Sequence, residues 1–199
     1  MSNEAKQILK RALESSAKFA PMSLHNAHHP GLNSLVLDDQ GRRLLRLFHK
    51  PAGVVIRAGD IAIHAHHCNI ALTPILGTIV NKSARPATNG TLYGTWRYKS
   101  KINCGVGCFK QLRGMAYLAI TETPISTGQR LTMTAKHLHT IECSADEAAW
   151  IVEEGQEDAD YDAVCYSKKS LASWSSEGLY QPMTEQAYQG IIQALSAQL

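Results

Sequence analysis

Residues 59–77 carry the feature that most constrains the fold, because three of the nine histidines fall within four consecutive positions directly after an alternating apolar run. Ile61 and Ile63 point to one face of a predicted β-strand, and His64 points to the other. If the strand continues, His66 shares the face of His64, about 6.5–7 Å further along the strand. Two imidazoles at that separation can converge on one ion, so the segment predicts a metal site built on a strand.

The charge and composition of the 199 residues argue against several classes of function. The net charge is +3, from 20 basic and 17 acidic residues, which is too balanced for a nucleic-acid-binding surface. No stretch reaches the roughly 18 apolar residues of a membrane span, and residues 2–18 are polar and helix-like rather than a signal peptide. We therefore expect a soluble, cytoplasmic protein that binds neither nucleic acid nor membrane and folds as one domain over residues 1–199.

The five cysteines are an odd number, which favours free thiols in a chain without an export signal. Cys104 and Cys108 form a C-x3-C pair, but no second pair completes a tetrahedral zinc site. A glycine-rich turn that holds two reduced thiols is therefore favoured over a zinc site.

Apolar residues at helical spacing predict a helix near each end of the chain. The first covers about residues 3–20 and ends before Pro21. The second covers about residues 184–199, with Thr184 as its N-cap. Its apolar stripe is expected to pack against the β-structure.

Between the first helix and the first strand, residues 21–33 are predicted to form an irregular connection. His28 and His29 lie in this connection and offer an alternative metal site. A flexible polar loop is the favoured interpretation of these residues.

From Leu35 the sequence changes to short alternating segments separated by Gly, Pro and Asn. The alternation predicts strands within residues 35–37, 44–48, 75–80, 92–98 and 115–121. Residues 81–90 are rich in Asn, Ser, Pro and Gly and are predicted to be a loop. Short strands at this spacing indicate an all-β sandwich or barrel.

A second histidine segment, residues 127–139, makes the pattern more specific. His139 follows the turn glycine Gly128 by eleven residues. Together the two segments resemble the two motifs of the cupin superfamily. The first cupin motif has a Gly, a His-x-His and a closing Gly, matched here by Gly59, His64, His66 and Gly77. The resemblance covers about residues 35–153 and identifies the superfamily better than any subfamily.

The resemblance implies a jelly-roll barrel, over about residues 34–167, that brings His64, His66 and His139 together as metal ligands. His137, two residues before His139, is the second choice for the third ligand. His67 is expected to point to the opposite strand face. Imidazole ligands suit several divalent ions; Fe2+ is the first expectation, with Zn2+, Ni2+ and Mn2+ as alternatives.

One departure from the cupin pattern concerns the glutamate of the first motif. It should fall near Ile70 or Ala71, and both positions are apolar. Glu142 lies three residues after His139 and is expected to face outward. A site of three histidines is therefore predicted, which leaves coordination positions for substrate, water or O2.

Cupins with three histidines include thiol dioxygenases and diketone-cleaving dioxygenases. The resemblance therefore implies a dioxygenase-like enzyme acting on a small organic substrate. Cys68 resembles the cysteine that some thiol dioxygenases carry beside the metal, but residues 31–33 lack the arginine that binds substrate in those enzymes. The Ser-His-Tyr arrangement of those enzymes is missing too, so a cysteine dioxygenase is not predicted.

Other functions remain open at this point. One is a non-catalytic cupin that binds a metal or ligand in a structural or regulatory role, and another is an isomerase or hydrolase that uses the metal as a Lewis acid. The histidines also fit simple packing roles in a metal-free barrel. A homodimer is expected by analogy with other cupins.

Tyr93 and Arg97 are the candidate catalytic residues outside the histidine segments. They alternate with Trp96 and Tyr98 along a predicted strand, so one of the two faces should line the barrel. Arg97 in the barrel would orient an anionic group; at the rim it would pair with solvent or a carboxylate.

Overall fold

The computed structural model describes residues 3–41, 43–99, 109–156, 164–168 and 177–199. The pair Cys104 and Cys108 lies outside the described residues. The helices are α1 (Asn3–Glu14), α2 (Ser16–Phe19), which runs into a 3-10 turn (Ala20–Met22), and α3 (Glu185–Gln198). None of these helices combines the length and apolar character that a membrane crossing requires.

Strands make up about half of the described chain. They are β1 (Leu24–His25), β2 (Asn33–Asp39), β3 (Leu44–Lys50), β4 (Ile63–His64), β5 (Ile70–Leu76), β6 (Thr78–Lys99), β7 (Phe109–Ser126), β8 (Leu131–Met133), β9 (Leu138–Glu142), β10 (Ala148–Glu154), β11 (Val164–Ser167) and β12 (Gln181–Pro182).

The strands form two antiparallel sheets. One has seven strands in the order β12-β1-β2-β3-β10-β5-β8, and the other has five in the order β11-β4-β9-β6-β7. In the five-stranded sheet β11 also pairs with β6, so β4, β9, β6 and β11 form a closed ring of paired strands. The predicted all-β fold with helices at both ends is confirmed.

The strand β6 corrects the loop predicted over residues 81–90. Lys82 pairs with Glu122 of β7 on one side and with Thr140 of β9 on the other, so the strand continues through a segment of turn-like composition. Pro86 lies at a shift in register, where it and Thr91 both face Leu118. Proline is tolerated at such bulges because no ladder hydrogen bond is needed there. Pairing on both edges outweighs the local preference of the residues.

The helices cover the outer face of the seven-stranded sheet. Leu9 of α1 and Ile192 of α3 are completely buried in a cluster that includes Leu47 of β3. The predicted N-cap is present, because the Thr184 hydroxyl accepts a hydrogen bond from the backbone N–H of Ala187. Complete burial of each such aliphatic side chain contributes about 1.5–3 kcal/mol, which fixes the helices on the sheet.

A second apolar cluster lies between the two sheets. Leu72 and Trp150 come from the seven-stranded sheet, whereas Ile79, Ile125 and Ile141 come from the five-stranded sheet. These side chains fill one part of the space between the sheets. The histidine segments occupy another part.

The described cysteines have the reduced thiols that the sequence predicts. Cys68, Cys143 and Cys165 are buried thiols rather than disulfides. Burial raises the pKa of Cys143 and of Cys165 to about 12, so both stay protonated near neutral pH.

Candidate metal centre

The strand that carries the first histidine pair is shorter than the sequence predicts. It ends at His64, so His66 lies beyond its end. The backbone N–H of His66 instead donates to the carbonyl of Ala135, in the second histidine segment. This bond ties the two segments together where the strand stops, and it keeps His66 beside the other histidines.

The register of the five-stranded sheet places His64 directly beside His139. The two residues are partners across β4 and β9, and His139 is in turn the partner of Ser83 on β6. Partners in an antiparallel ladder point to the same face. Residues from three separate parts of the sequence therefore project into the same space between the sheets.

The three imidazoles form a compact triangle. The ring centroids lie 4.9 Å apart for His64 and His66, 5.2 Å for His64 and His139, and 5.0 Å for His66 and His139. One nitrogen from each ring lies within 4.8 Å of the other two. The Nε2 atoms of His66 and His139 are 2.7 Å apart.

Two of the three rings are oriented by acceptors at Nδ1. The Nδ1–H of His64 donates to the carbonyl of Ala62 at 2.9 Å, and the Nδ1–H of His139 donates to Oδ1 of Asn81 at 2.8 Å. Because each partner atom can only accept, the proton belongs on Nδ1 and the lone pair on Nε2. Metal-binding histidines are commonly held in this way by a carbonyl or carboxylate acceptor.

The environment keeps these histidines neutral. Burial lowers the pKa of His66 to about 2, and the charge of His64 acts in the same direction. Burial, followed by the charges of His64 and His66, holds the pKa of His139 well below its usual range. Burial also lowers the pKa of His64, although its hydrogen bond to Ala62 opposes the shift. A neutral imidazole is the form that binds metal.

This donor set fits a divalent metal ion. Two imidazole nitrogens bound to one ion at 2.0–2.1 Å are about 2.9–3.4 Å apart at ordinary coordination angles, close to the separation of the Nε2 atoms of His66 and His139. The group holds three imidazoles and no carboxylate. Neutral nitrogen donors bind Fe2+, Zn2+, Ni2+ and Mn2+, so the ligand set does not identify the metal.

The other histidines near the segments lie outside the triangle. His137 approaches Ser83, with its Nε2 2.9 Å from the hydroxyl, and its ring centroid is 6.5 Å from that of His139. His67 is half-buried and is not part of the three-histidine group. His29 lies 3.7 Å from a carboxylate oxygen of Asp60. The triangle is thus formed by the histidines that the cupin resemblance selects.

Glu142 is directed away from the three histidines. Its carboxylate lies 2.7 Å from the ammonium of Lys82, and Lys82 also pairs with Glu122. Lys82 alternates along β6 with Asn81 and Ser83, whose side chains contact the histidines, so it points to the opposite face. The Glu142 carboxylate therefore forms an ion pair with Lys82 on the face of the sheet opposite to the histidines.

The register does not bring Tyr93 and Arg97 to the histidines. Cys165 of β11 is the partner of both His64 and Trp96, so Trp96 shares the inner face with His64. Tyr93 and Arg97 alternate with Trp96 and hence point to the other face of β6. There the Tyr93 ring lies 5.5 Å from the ammonium of Lys168. Their catalytic role stays a prediction.

Several residues of the site have no clear signal in the sequence. Asn81 lies in a segment of loop-like composition, and Ser83 lies two residues later. His28 belongs to the connection predicted to be flexible, yet its ring stacks on His64 with centroids 5.9 Å apart. Tyr180, far along the chain, contacts His28. Spacing alone does not reveal these contacts, because sheet pairing and loop packing create them.

No family model matches the chain, and no curated protein sequence matches it. Solved structures do match. A cupin-superfamily protein from Desulfitobacterium hafniense DCB-2 is 10% identical, with a TM-score of 0.37, over 63% of this chain and 78% of that one. A cupin domain from Bordetella pertussis Tohama I is 13% identical, with a TM-score of 0.38, over 64% of this chain and 95% of that one.

A third match is the hydroxypropylphosphonic acid epoxidase from S. wedmorenis, which is 13% identical with a TM-score of 0.40 over 67% of this chain. The match spans 56% of the epoxidase, little more than half of its length. The hypothesis of a metal centre depends on the histidine geometry alone. Two of these three matching structures are cupin proteins. In this chain the three histidines of the two motif segments lie together.

Proposed function

We propose that this protein is a mononuclear metal-dependent enzyme of the dioxygenase type that acts on a small organic substrate. The observation that carries the proposal is the convergence of His64, His66 and His139, with the lone pairs of His64 and His139 on Nε2. These three residues would hold the metal.

Each residue of the centre has a definite task in this proposal. His64, His66 and His139 supply neutral nitrogen donors, while Asn81 and the carbonyl of Ala62 fix the ring orientations. A redox-active ion such as Fe2+ would relay electrons from the substrate, which is oxidised, to O2, which is reduced. His64 and His66 are half-buried, whereas His139 is buried.

Two physical arguments support a catalytic site over a structural one. Structural zinc sites are closed by four protein ligands, whereas catalytic sites keep a position open for water or substrate. Three neutral ligands also leave the full +2 charge on the ion, which favours an anionic substrate or hydroxide. A site of three imidazoles therefore suits chemistry on a small molecule that carries negative charge.

The test begins with protein purified without oxygen. Elemental analysis should find about one divalent ion per chain, as expected for a mononuclear site. An oxygen electrode should then record O2 uptake when a panel of small organic acids, thiols and 1,3-diketones is added. Tightly held zinc without an exchangeable water would contradict the proposal and indicate a structural site.

A second candidate is a non-catalytic metal-binding cupin with a role in assembly. The exposed apolar side chains of the paired strands β6 and β7 favour it. Met115 and Tyr117 are more than half exposed, and by register they share one face with Leu92, which is 43% exposed. If assembly is the function, Met115→Ser should change the mass in solution, for instance that of a homodimer, while the metal content stays the same.

A further inference from the structure

His28 lies between the two sheets, beside the proposed metal centre. Its ring stacks on Phe48 of the seven-stranded sheet, with centroids 6.4 Å apart, and on His64 of the five-stranded sheet, at 5.9 Å. Phe48 in turn stacks on Trp150 at 5.6 Å. A line of four rings therefore crosses the interior and ends on a candidate metal ligand.

Tyr180 fixes the orientation of His28. Its hydroxyl lies 2.9 Å from Nδ1 of His28, and its ring meets the imidazole edge-on. When the phenol donates to Nδ1, the proton of the neutral imidazole is on Nε2. The nitrogen on the other side of the ring is then a hydrogen-bond donor.

The backbone around this pair is held in an unfavourable conformation. The non-glycine residues with positive φ in the described chain are Asn26, His28 and Tyr180, at 55°, 66° and 55°. The three are linked, because the N–H of Tyr180 donates to the carbonyl of Asn26. Left-handed backbone at such residues persists only where the surrounding structure enforces it, and it is concentrated at functional sites.

We propose that His28 is a ligand-contacting residue of the metal centre, whose Nε2–H donates a hydrogen bond to a small anion or oxygen-bearing molecule bound beside His64. The proposal rests on the proposed function, since it needs a metal at the three histidines. It assigns to that site a substrate class, namely a small molecule that carries an anionic or carbonyl oxygen.

Tyr180 takes up the Nδ1 edge of His28, so Nε2 is the ring nitrogen that the proposal assigns to the ligand. The ring packs against Phe48 and His64, and Tyr180 occupies the Nδ1 edge. The residue is nevertheless half-buried rather than fully enclosed. His28 does not belong to the group of converging nitrogens, so it is a neighbour of the ion rather than a fourth ligand.

A packing role alone does not account for these contacts. A phenylalanine would continue the ring stack between Phe48 and His64, but it would remove the hydrogen bond between Tyr180 and His28. His28→Phe therefore separates the two roles, because it keeps the aromatic ring and removes both nitrogens. Tyr180→Phe keeps the edge-on ring and removes only the hydroxyl that orients His28.

The experiment uses the full chain loaded with Co2+ as a spectroscopic probe and azide as the probe anion. Absorption titrations give the azide affinity, and elemental analysis gives the Co2+ content. His28→Phe should keep its Co2+ and bind azide about ten- to a hundredfold more weakly, as expected for losing a hydrogen bond to a charged group. Tyr180→Phe should show a smaller loss, and His28→Gln, which restores an N–H donor, should recover part of the affinity.

His25→Phe is the matched control, because His25 is another half-buried histidine whose Nδ1 has a side-chain partner, Asn33. It should leave both measurements unchanged. Unchanged azide affinity in folded, Co2+-loaded His28→Phe would overturn this inference while the metal centre stands. Loss of Co2+ from that variant would overturn it too, since His28 would then act as a ligand or a support. Failure of the unaltered protein to bind Co2+ would instead reject the proposed function and this inference together.

Should His28→Phe fail to fold, His28→Gln and Tyr180→Phe carry the test. Azide affinity within twofold of the unaltered protein in both, at equal Co2+ content, would contradict the proposal. A loss of azide affinity in Tyr180→Phe of more than twofold, at equal Co2+ content, would support the proposal.

Discussion

His66 and His139 place their Nε2 atoms 2.7 Å apart, although 73 residues separate them in the chain. In His139 the Nδ1–H is committed to Asn81, so its Nε2 presents a lone pair to His66. Without a metal this separation is that of a hydrogen bond, which the Nε2–H of neutral His66 can donate to His139. It is also close to the separation of two imidazole nitrogens that bind one ion.

Replacing the third ligand should remove the metal. Losing a group that only orients a metal ligand lowers the metal affinity roughly 10–100-fold. His139→Ala removes a ligand itself, so we expect its metal affinity to fall by more than that. His137→Ala is the control, since its side chain contacts Ser83 and lies outside the triangle. Elemental analysis of both purified variants checks the prediction. A larger loss of metal in His137→Ala than in His139→Ala would show that the wrong histidine was chosen.

Asn81 should control metal affinity without touching the metal. In Asn81→Ala, His139 loses the acceptor for its Nδ1–H, so the ring is no longer held with Nε2 toward the ion. The affinity for Zn2+ or Co2+ should fall about 10–100-fold. Asn33→Ala is a suitable control, because Asn33 is also buried and also contacts a histidine Nδ1, that of His25, which is not one of the three converging histidines. Equal losses of metal affinity in the two variants would contradict the prediction.

The metal-free protein should lose stability as the pH falls below about 6.5. The unfolded chain takes up protons on histidine near its ordinary pKa, whereas burial lowers the pKa of His28 to about 3 and that of His66 to about 2. Between the folded-state pKa and about 6.5, the unfolded state binds more protons than the folded state, so the free energy of unfolding rises with pH. The stability that these histidines contribute is fully present above about pH 6.5. Each such histidine contributes at most about 1.4 kcal/mol per pH unit.

Urea unfolding of the metal-free protein between pH 5 and 7 measures this dependence. His66→Gln should reduce the slope of stability against pH by the contribution of one histidine. A flat profile below pH 6.5 would mean that the imidazoles remain accessible to protons in the folded state, and the buried triangle would be wrong.

How far the site follows from sequence depends on the range of the interactions involved. His64 and His66 are two residues apart, so local spacing predicts that they lie together; His139 follows from the resemblance of its segment to a motif. His28 and Tyr180 are 152 residues apart, and neither lies in a recognisable pattern. Their contact results from loop packing, about which local composition carries no information.

Sheet pairing explains the remaining differences. Alternation along β6 predicts that Trp96 and Arg97 point to opposite faces, but it does not say which face is inside. The pairing of Cys165 with both His64 and Trp96 shows that the Trp96 face is the inner one. This pairing involves three strands, so the sequence of one strand does not predict it. The helices are easier to predict, because their periodicity is local and the Thr184 cap lies at the first residue of the predicted segment.

The glycine that closes the first histidine segment should be intolerant of any side chain. Gly77 has φ +69°, and a Cβ there would lie 2.5 Å from the carbonyl oxygen of Glu147. Gly41 has a similar φ of +75° but open space around the added Cβ, which makes it a matched control. Both alanine variants force a non-glycine residue into left-handed backbone, at a cost of about 1–3 kcal/mol.

The difference between Gly77→Ala and Gly41→Ala therefore isolates the backbone clash. Gly77→Ala must also move Glu147, which directly precedes β10 and hydrogen-bonds to His49 of β3. We expect Gly77→Ala to lower the free energy of unfolding by at least 1 kcal/mol more than Gly41→Ala, of the order of one strained residue, as measured by urea denaturation. Equal losses would mean that Gly77 is needed for its φ alone, and that the close approach between the β5–β6 turn and residue 147 does not constrain the sheet.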